Sequence, residues 1–248
     1  MARVSKRKRP PRDVKVFKEQ LKVESSVFDR FTLRDIYSLM ASGIIMTLDF
    51  PIKKGKESIV FRATPPPEYP ADFLAVKVYM VETSDFVHMT KYIADDPRFR
   101  VRSNKRKLIH EWVKKEYRNL LLCEKMGVSV PHPHAFRGNV LVMDFIGEDG
   151  APAKTLKERG PANPQEEYDF LMGEIRRMHK NGFVHADLSE YNILCGPDGR
   201  LVLIDLAQGV LKGHPHYDEW LRRDVANISK YYRAYGVTSD VSWLEGEH

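Results

Sequence analysis

Cysteine is nearly absent from this 248-residue chain: there are two, Cys123 and Cys195, far apart and forming no CxxC pair. That argues against a disulfide framework or a cysteine zinc site and leads us to expect a reducing, cytoplasmic setting. No window approaches the about 18 consecutive apolar residues of a membrane span, so no membrane role is expected. The opening run MARVSKRKRPPR has no apolar stretch behind its charges and does not read as a secretory signal. Internal repeats are lacking too. What is present is enough apolar material, 42% hydrophobic and 10% aromatic residues, for one domain or two small lobes around a cleft.

Acidic residues are missing from residues 1–12, which hold Arg3, Lys6, Arg7, Lys8, Arg9 and Arg12. Setting those six aside, the 40 Lys and Arg come down to the same number as the 34 Asp and Glu, so the net charge of +6 resides in the tail. Residues 1–24 read as a disordered arm able to lie on RNA phosphates, or as a solubilising tail. A second basic stretch runs from Arg98 to Arg118 against only Glu111 and Glu116. It reads as an RNA-facing patch or as a solvated helix face.

Along the chain, TLRDIYSLMASG predicts a short helix capped by Thr32 and stopped by Gly43. IIMTLDFPI, SIVFRAT and DFLAVKVYM predict three antiparallel strands, the first two joined by the glycine turn KKGKE. Residues 82–107 show little apolar periodicity and read as a long flexible loop. LIHEWVKKEYRNLLLCEKMG is an amphipathic helix with Leu108, Trp112, Tyr117, Leu120 and Leu121 on one side. PHPHAFRGNVLVMDFIG gives two more strands and a hinge. NPQEEYDFLMGEIRRMHKNG and YDEWLRRDVANISKYYRAYG are helices, and NILCG with RLVLIDL forms a hairpin between them. Strands dominate the first half and helices the second, which predicts an α+β fold. Residues 25–144 form an antiparallel β N-lobe and residues 145–248 a mainly helical C-lobe, with a cleft between them.

Several polar residues then stand in a telling order. Lys77 lies mid-strand in AVKV, odd for a buried strand unless it faces a cleft. Glu111 and Glu116 on the next long helix are its available ion partners. The turn Lys53–Ser58 precedes Lys77 and can cover phosphates. Beyond the hinge come Asp187, then Asn192 five residues later, then Asp205 after a short hairpin. Phosphoryl transfer from ATP needs such a set: a lysine on the phosphates, a glutamate holding it, a carboxylate for the attacking hydroxyl, and an amide with a second carboxylate for Mg²⁺. A Walker loop is excluded, because its first glycine would fall at Phe50 and the segment leads into a strand. Other parts are lacking. Leu206 and Ala207 follow Asp205 where a DFG would continue, and no APE appears downstream. The residues after Asp205 are too few for an activation segment and peptide-docking helices, so the C-lobe is expected to be truncated.

HADLSEYN, LIDLAQGV and HPHYDEWLRRDVANI, together with VKVY, KKEYRNL and LVMDFIG, resemble the RIO family of atypical serine/threonine protein kinases, specifically its type-one branch. The resemblance spans roughly residues 25–240. The short stretch before the glycine turn leaves little room for the winged-helix domain of the type-two branch. The resemblance implies a small bilobal kinase-like fold, ATP with Mg²⁺ or Mn²⁺ and ATPase activity. It also implies a role in maturation of the small ribosomal subunit, with the subunit precursor and its rRNA as partners and no protein substrate identified. It implies Lys77 as the phosphate-orienting lysine and Glu116 as its partner. Asp187 is implied as the catalytic acceptor, with Asn192 and Asp205 as metal ligands. Asp205 is further implied as a possible aspartyl-phosphate site. Lys56, Glu57 and Ser58 are implied at the phosphates, and Met143, Asp144 and Ile146 at adenine. The turn departs from the branch, reading KKGKES where STGKEA is usual.

Two rivals stand beside this reading. A small-molecule kinase of the aminoglycoside or choline type shares the H-x-D-x-x-x-x-N loop but needs a larger helical lobe. A non-catalytic RNA-binding assembly factor would need the basic tail and patch but not the carboxylates. The HxH pairs His132/His134 and His214/His216 suggest zinc, against the commoner structural histidine. His185 is expected to brace the catalytic loop rather than act as a base.

Overall fold

The computed structural model describes residues 28–82, 84–100, 104–238 and 241–244. The basic run at residues 1–12, and the rest of the predicted tail, lie outside the described residues. Helix α1 (Arg30–Ala41) leads into a meander of β1 (Thr47–Lys54), β2 (Ser58–Thr64) and β3 (Leu74–Tyr79). Helices α2 (Phe86–Ile93) and α3 (Lys105–Lys125) follow, then β4 (Pro133–Arg137) and β5 (Val140–Asp144). These strands form one antiparallel sheet in the order β1-β2-β3-β5-β4. After the hinge come the ribbon β6 (Gly147–Glu148) and β7 (Ala151–Pro152), then helices α4 (Leu156–Arg159) and α5 (Pro164–Lys180). The remaining elements are β8 (Phe183–Val184), the hairpin β9 (Ile193–Cys195) and β10 (Leu201–Leu203), a 3-10 turn at Leu206–Gln208, β11 (Val210–Leu211), α6 (Tyr217–Arg233) and a 3-10 turn at Ser242–Leu244. The fold is α+β and kinase-like, a β-sheet lobe above a helical one. No helix among the described residues is long and apolar enough to cross a membrane.

Strand alternation assigns the two faces of β3 to different cores. Val76 and Val78 pack with Ile36 and Leu39 of α1, while Ala75 and Tyr79 join the core shared with α3 and the helical lobe. Lys77 lies on the second face, central in the sheet opposite Val60 and Leu141. Gly147 closes the hinge ribbon because a Cβ there would lie 2.1 Å from the carbonyl oxygen of Ala151.

Three expectations change. Residues 82–107 are not a continuous loop: α2 is capped by the Asp85 carboxylate, which accepts the His88 N–H, and it buries Met89, Tyr92 and Ile93. Its apolar residues recur at helical spacing over only two turns, too few to stand out beside the charged run that follows. Helix α1 is capped by Asp29, not Thr32; the Asp29 side chain accepts the N–H groups of Phe31 and Thr32, and Thr32 is buried in the first turn. The basic stretch 98–118 is not uniformly solvated, because Lys115 is fully buried.

Candidate active site

The cleft between the lobes has a volume of about 750 Å³. Its roof is Ile52, Lys53, Gly55, Ser58 and Val60 from β1, β2 and their turn; Lys77 and Met143 lie at the back. Asp144, Phe145 and Ile146 form the hinge side, and Asn192, Leu194, Ile204 and Asp205 the floor. Of the residues expected on the phosphates, Ser58 lines the cleft and Lys56 and Glu57 do not. Lys56 is exposed, and the Glu57 carboxylate turns away to accept the Asp85 N–H at 3.2 Å. Lys53 takes their place at the mouth, where it pairs with Glu158 of α4 at 3.0 Å.

Lys77 is 5% exposed, and its Nζ donates to Glu116 at 2.6 Å and to Asp205 at 3.0 Å. Of the two glutamates on α3 considered as partners, Glu116 is the one that reaches it. Glu116 also accepts the Tyr79 hydroxyl at 2.6 Å. Burial disfavours the Lys77 ammonium, but Asp205 and Glu116 overcome it and hold the lysine protonated well above its usual range. Burial pushes the Glu116 carboxyl up, with Lys77 opposing. At Asp205 the balance reverses: burial raises it, and the Lys77 charge more than offsets this, keeping it ionised below the usual carboxylate range.

Asp187 adjoins the cleft beside Asn192, whose Nδ2 donates to the Asp187 carbonyl at 2.8 Å and to its Oδ2 at 3.3 Å. Gln208 Nε2 donates to the same Oδ2 at 2.9 Å. Burial and the nearby Asp205 charge push Asp187 up to about 6, against the lowering effect of Arg223 and the two amides. The carboxyls of Asp187 and Asp205 thus have their acidities driven apart, one upward and the other downward.

Backbone strain concentrates here. Ala186 and Asp205 hold left-handed φ angles of 66° and 65°, and side chains from two helices hold them there. Buried Asp224 of α6 accepts the N–H groups of Ala186 at 2.8 Å and Leu188 at 2.9 Å, and Arg223 donates to the Ala186 carbonyl. Burial pushes Asp224 up to about 7, with those N–H bonds opposing. From α3, Asn119 Nδ2 donates to the carbonyls of Leu206 at 2.8 Å and Gly209 at 2.9 Å, and Lys115 donates to Gly209. Lys115 is lowered to about 7 by burial, against the pull of Asp96. Gly209 itself admits no side chain, since a Cβ would lie 2.3 Å from the Phe183 ring. His185 is fully buried and its Nε2 meets the Ile204 carbonyl at 3.0 Å, the bracing role expected of it.

The sequence reading did not single out Gln208, Asp224, Arg223, Asn119 or Lys115. Only the geometry connects them to Asp187 and Asp205, across separations as large as 94 positions. Among the described residues no three His, Cys, Asp or Glu side chains gather to hold a metal. The HxH pairs have other partners: His134 bonds Tyr69 at 2.5 Å and Asp144 at 2.7 Å, His132 meets Glu124 at 2.8 Å, and His214 and His216 pack on Trp220.

A family model for the RIO domain matches residues 59–243. The chain is 43% identical over 223 residues to the RIO-type serine/threonine-protein kinase Rio1 of Haloferax volcanii, covering 90% of this chain and 76% of that protein. It is 40% identical over 219 residues to the protein of the same name from Methanocaldococcus jannaschii, covering 88% and 73%. Against the serine/threonine-protein kinase RIO1 of Caenorhabditis elegans the identity is 38% over 217 residues, covering 85% of this chain and 42% of that one. A lysine held between two carboxylates, a braced D-x-x-x-x-N loop and these matches lead to one conclusion: the chain belongs to the RIO family of atypical protein kinases, in its type-one branch, and is a phosphotransferase.

Proposed function

We propose that the cleft binds ATP with Mg²⁺ or Mn²⁺, and that the protein is a serine/threonine kinase and ATPase that acts as a switch in small-subunit ribosome maturation. The observation that carries the chemistry is Lys77, held by Glu116 and Asp205 at the back of a cleft whose floor presents Asn192 and, beside it, Asp187. In this reading Lys77 orients the α- and β-phosphates and Ser58 and Lys53 meet them from the roof. The hinge at Met143, Asp144 and Ile146 receives adenine. Asp187 positions the attacking hydroxyl or water and takes its proton, with Asn192 and Gln208 fixing the carboxylate.

The residues fit a hard divalent cation. The Asp205 side chain is 42% open, and the Asn192 Nδ2 is committed to Asp187, which leaves its amide oxygen to coordinate. Oxygen donors of this kind, completed by phosphate and water, suit Mg²⁺. Bound there, the ion would neutralise charge on the β- and γ-phosphate oxygens. Asp205 is also the carboxylate that can take the γ-phosphoryl group itself, releasing ADP and leaving an aspartyl phosphate for water to cleave.

The test is Mg²⁺-dependent phosphate release from ATP, with and without small ribosomal subunits, for wild type and Asp187→Ala. Turnover that rises with subunits and collapses in the variant supports the switch. Turnover absent, or indifferent to Asp187, sinks it and favours an RNA-binding assembly factor.

A further inference from the structure

On the β-sheet lobe, a groove of about 550 Å³ runs between α1 and the first turns of α3, floored by the β4–β5 turn. It shares no lining residue with the nucleotide cleft. Phe31 forms one wall and is 37% exposed. Three guanidinium groups surround its ring, those of Arg106 at 4.4 Å, Arg30 at 5.3 Å and Arg34 at 5.4 Å from the centroid. Lys107 and His110 complete the basic wall.

The acids near the groove are already committed. The Asp35 side chain is 9% exposed and lies 3.4 Å from Arg34 and 3.7 Å from Arg137. Glu111 is 11% exposed and pairs with Lys114 at 3.6 Å. Asp29 caps α1 and takes Arg106 at 2.5 Å. Negative charge is therefore spent on the floor and rim, whereas the Arg34 side chain is 68% exposed and Arg30, Lys105 and Lys107 face solvent.

We infer that this groove is a binding site for single-stranded RNA. A partly exposed ring with guanidinium planes laid over it offers the stacking surface and the positive charge that an unstacked base and its flanking phosphates require, since bases stack on guanidinium planes as well as on aromatic rings. Asn104, whose Oδ1 accepts the Lys107 N–H, and His110, whose Nδ1 meets the Gly138 carbonyl, line the groove, and each has a second polar atom for a ribose 2′-hydroxyl to meet. The volume takes one or two nucleotides and is far too small for a duplex. The inference deepens the RNA side of the proposed function but stands on the groove alone, and its measurement requires no ATP turnover.

The experiment is fluorescence anisotropy of a labelled 12-nucleotide uridine RNA on the full chain across a salt series. Phe31→Ala should weaken binding about tenfold with an unchanged salt slope, and Phe31→Trp should restore it. Arg34→Glu with Lys107→Glu should weaken it by more than tenfold and flatten the slope. The same charge change at Lys125 and Lys180, exposed residues elsewhere, should cost far less. Melting curves and ATP phosphate release should match wild type in every groove variant, so a failure of the ATPase reading leaves this result readable. The inference is overturned if the Lys125/Lys180 variant loses as much. It is equally overturned if only neutralising Lys6, Arg7, Lys8 and Arg9 abolishes binding, or if a phosphopeptide shows the groove dependence and RNA does not.

Discussion

Replacing Gln208 by leucine should move the acid limb of the pH–rate profile toward neutrality. Asp187 stands at about 6 even though Gln208 and Asn192 both donate to its Oδ2 and so favour its charged form. The Gln208 bond, at 2.9 Å, is the shorter of the two contacts to that atom. A hydrogen bond to a charged group contributes about 1.5–3 kcal/mol, and a half-buried carboxylate takes the lower end. At about 1.4 kcal/mol per pH unit, its loss raises Asp187 by about one unit. Leucine fills the space, so water cannot replace the donor. In the proposed mechanism Asp187 must be ionised to accept a proton, so kcat/KM should fall several-fold near pH 6.5 and be unchanged above pH 8. The assay is initial-rate phosphate transfer from ATP at saturating Mg²⁺ and constant ionic strength, wild type against variant. Because Asp187 and Asp205 interact, the limb belongs to the pair, and the difference between the two proteins is the quantity to read. An unmoved limb, or a uniform loss at every pH, would refute the reasoning.

Lys77→Met should cut turnover about a hundredfold and strand buried Glu116, costing about 3–5 kcal/mol in urea unfolding near neutral pH. That deficit should shrink on acidification, because Glu116 already sits above the usual carboxylate range and protonates readily. In Asp224→Asn one of two N–H acceptors becomes a donor, so kcat should fall about tenfold with the KM for ATP unchanged. Asp224 lies at about 7 when folded against 3.8 as its ordinary value, so its contribution to stability is lost as pH rises between the two. The variant's melting temperature should lack that decline. Lys115 is depressed from 10.5 to about 7, so folding stability should climb between those values in wild type and stay flat in Lys115→Met, read as melting temperature against pH. His134→Ala should raise the KM for ATP with kcat intact, and His134→Gln, which keeps a donor for Asp144, should recover most of it in the same steady-state assay.

The cleft was legible where a local pattern conflicted with burial. Lys77 within an otherwise apolar strand signals a cleft, since all six residues of β3 are buried. The Asp187–Asn192 spacing and the hairpin before Asp205 are local as well. What escaped notice was polar and distant. Lys115 and Asn119 occupy the inner face of α3, but a search for apolar periodicity passes over buried polar residues, and Lys115 was counted with a surface charge run. Asp224 and Arg223 sit on a helix nearly 40 positions beyond the loop they brace. The turn residues Lys56 and Glu57, neighbours in sequence to Ser58, do not line the cleft: Lys56 is exposed and the Glu57 carboxylate accepts the Asp85 N–H.

Consider finally that Lys115, Glu116 and Asn119 occupy consecutive turns of one helix. Glu116 fixes the lysine of the upper lobe, while Lys115 and Asn119 grip the backbone just after Asp205. Withdrawing this helix would free Lys77 and the backbone after Asp205 together, since one face of it holds both. The exposed Lys53–Glu158 contact at the mouth of the cleft is different in kind, because a solvated ion pair opens and closes at little cost without disturbing either lobe's interior.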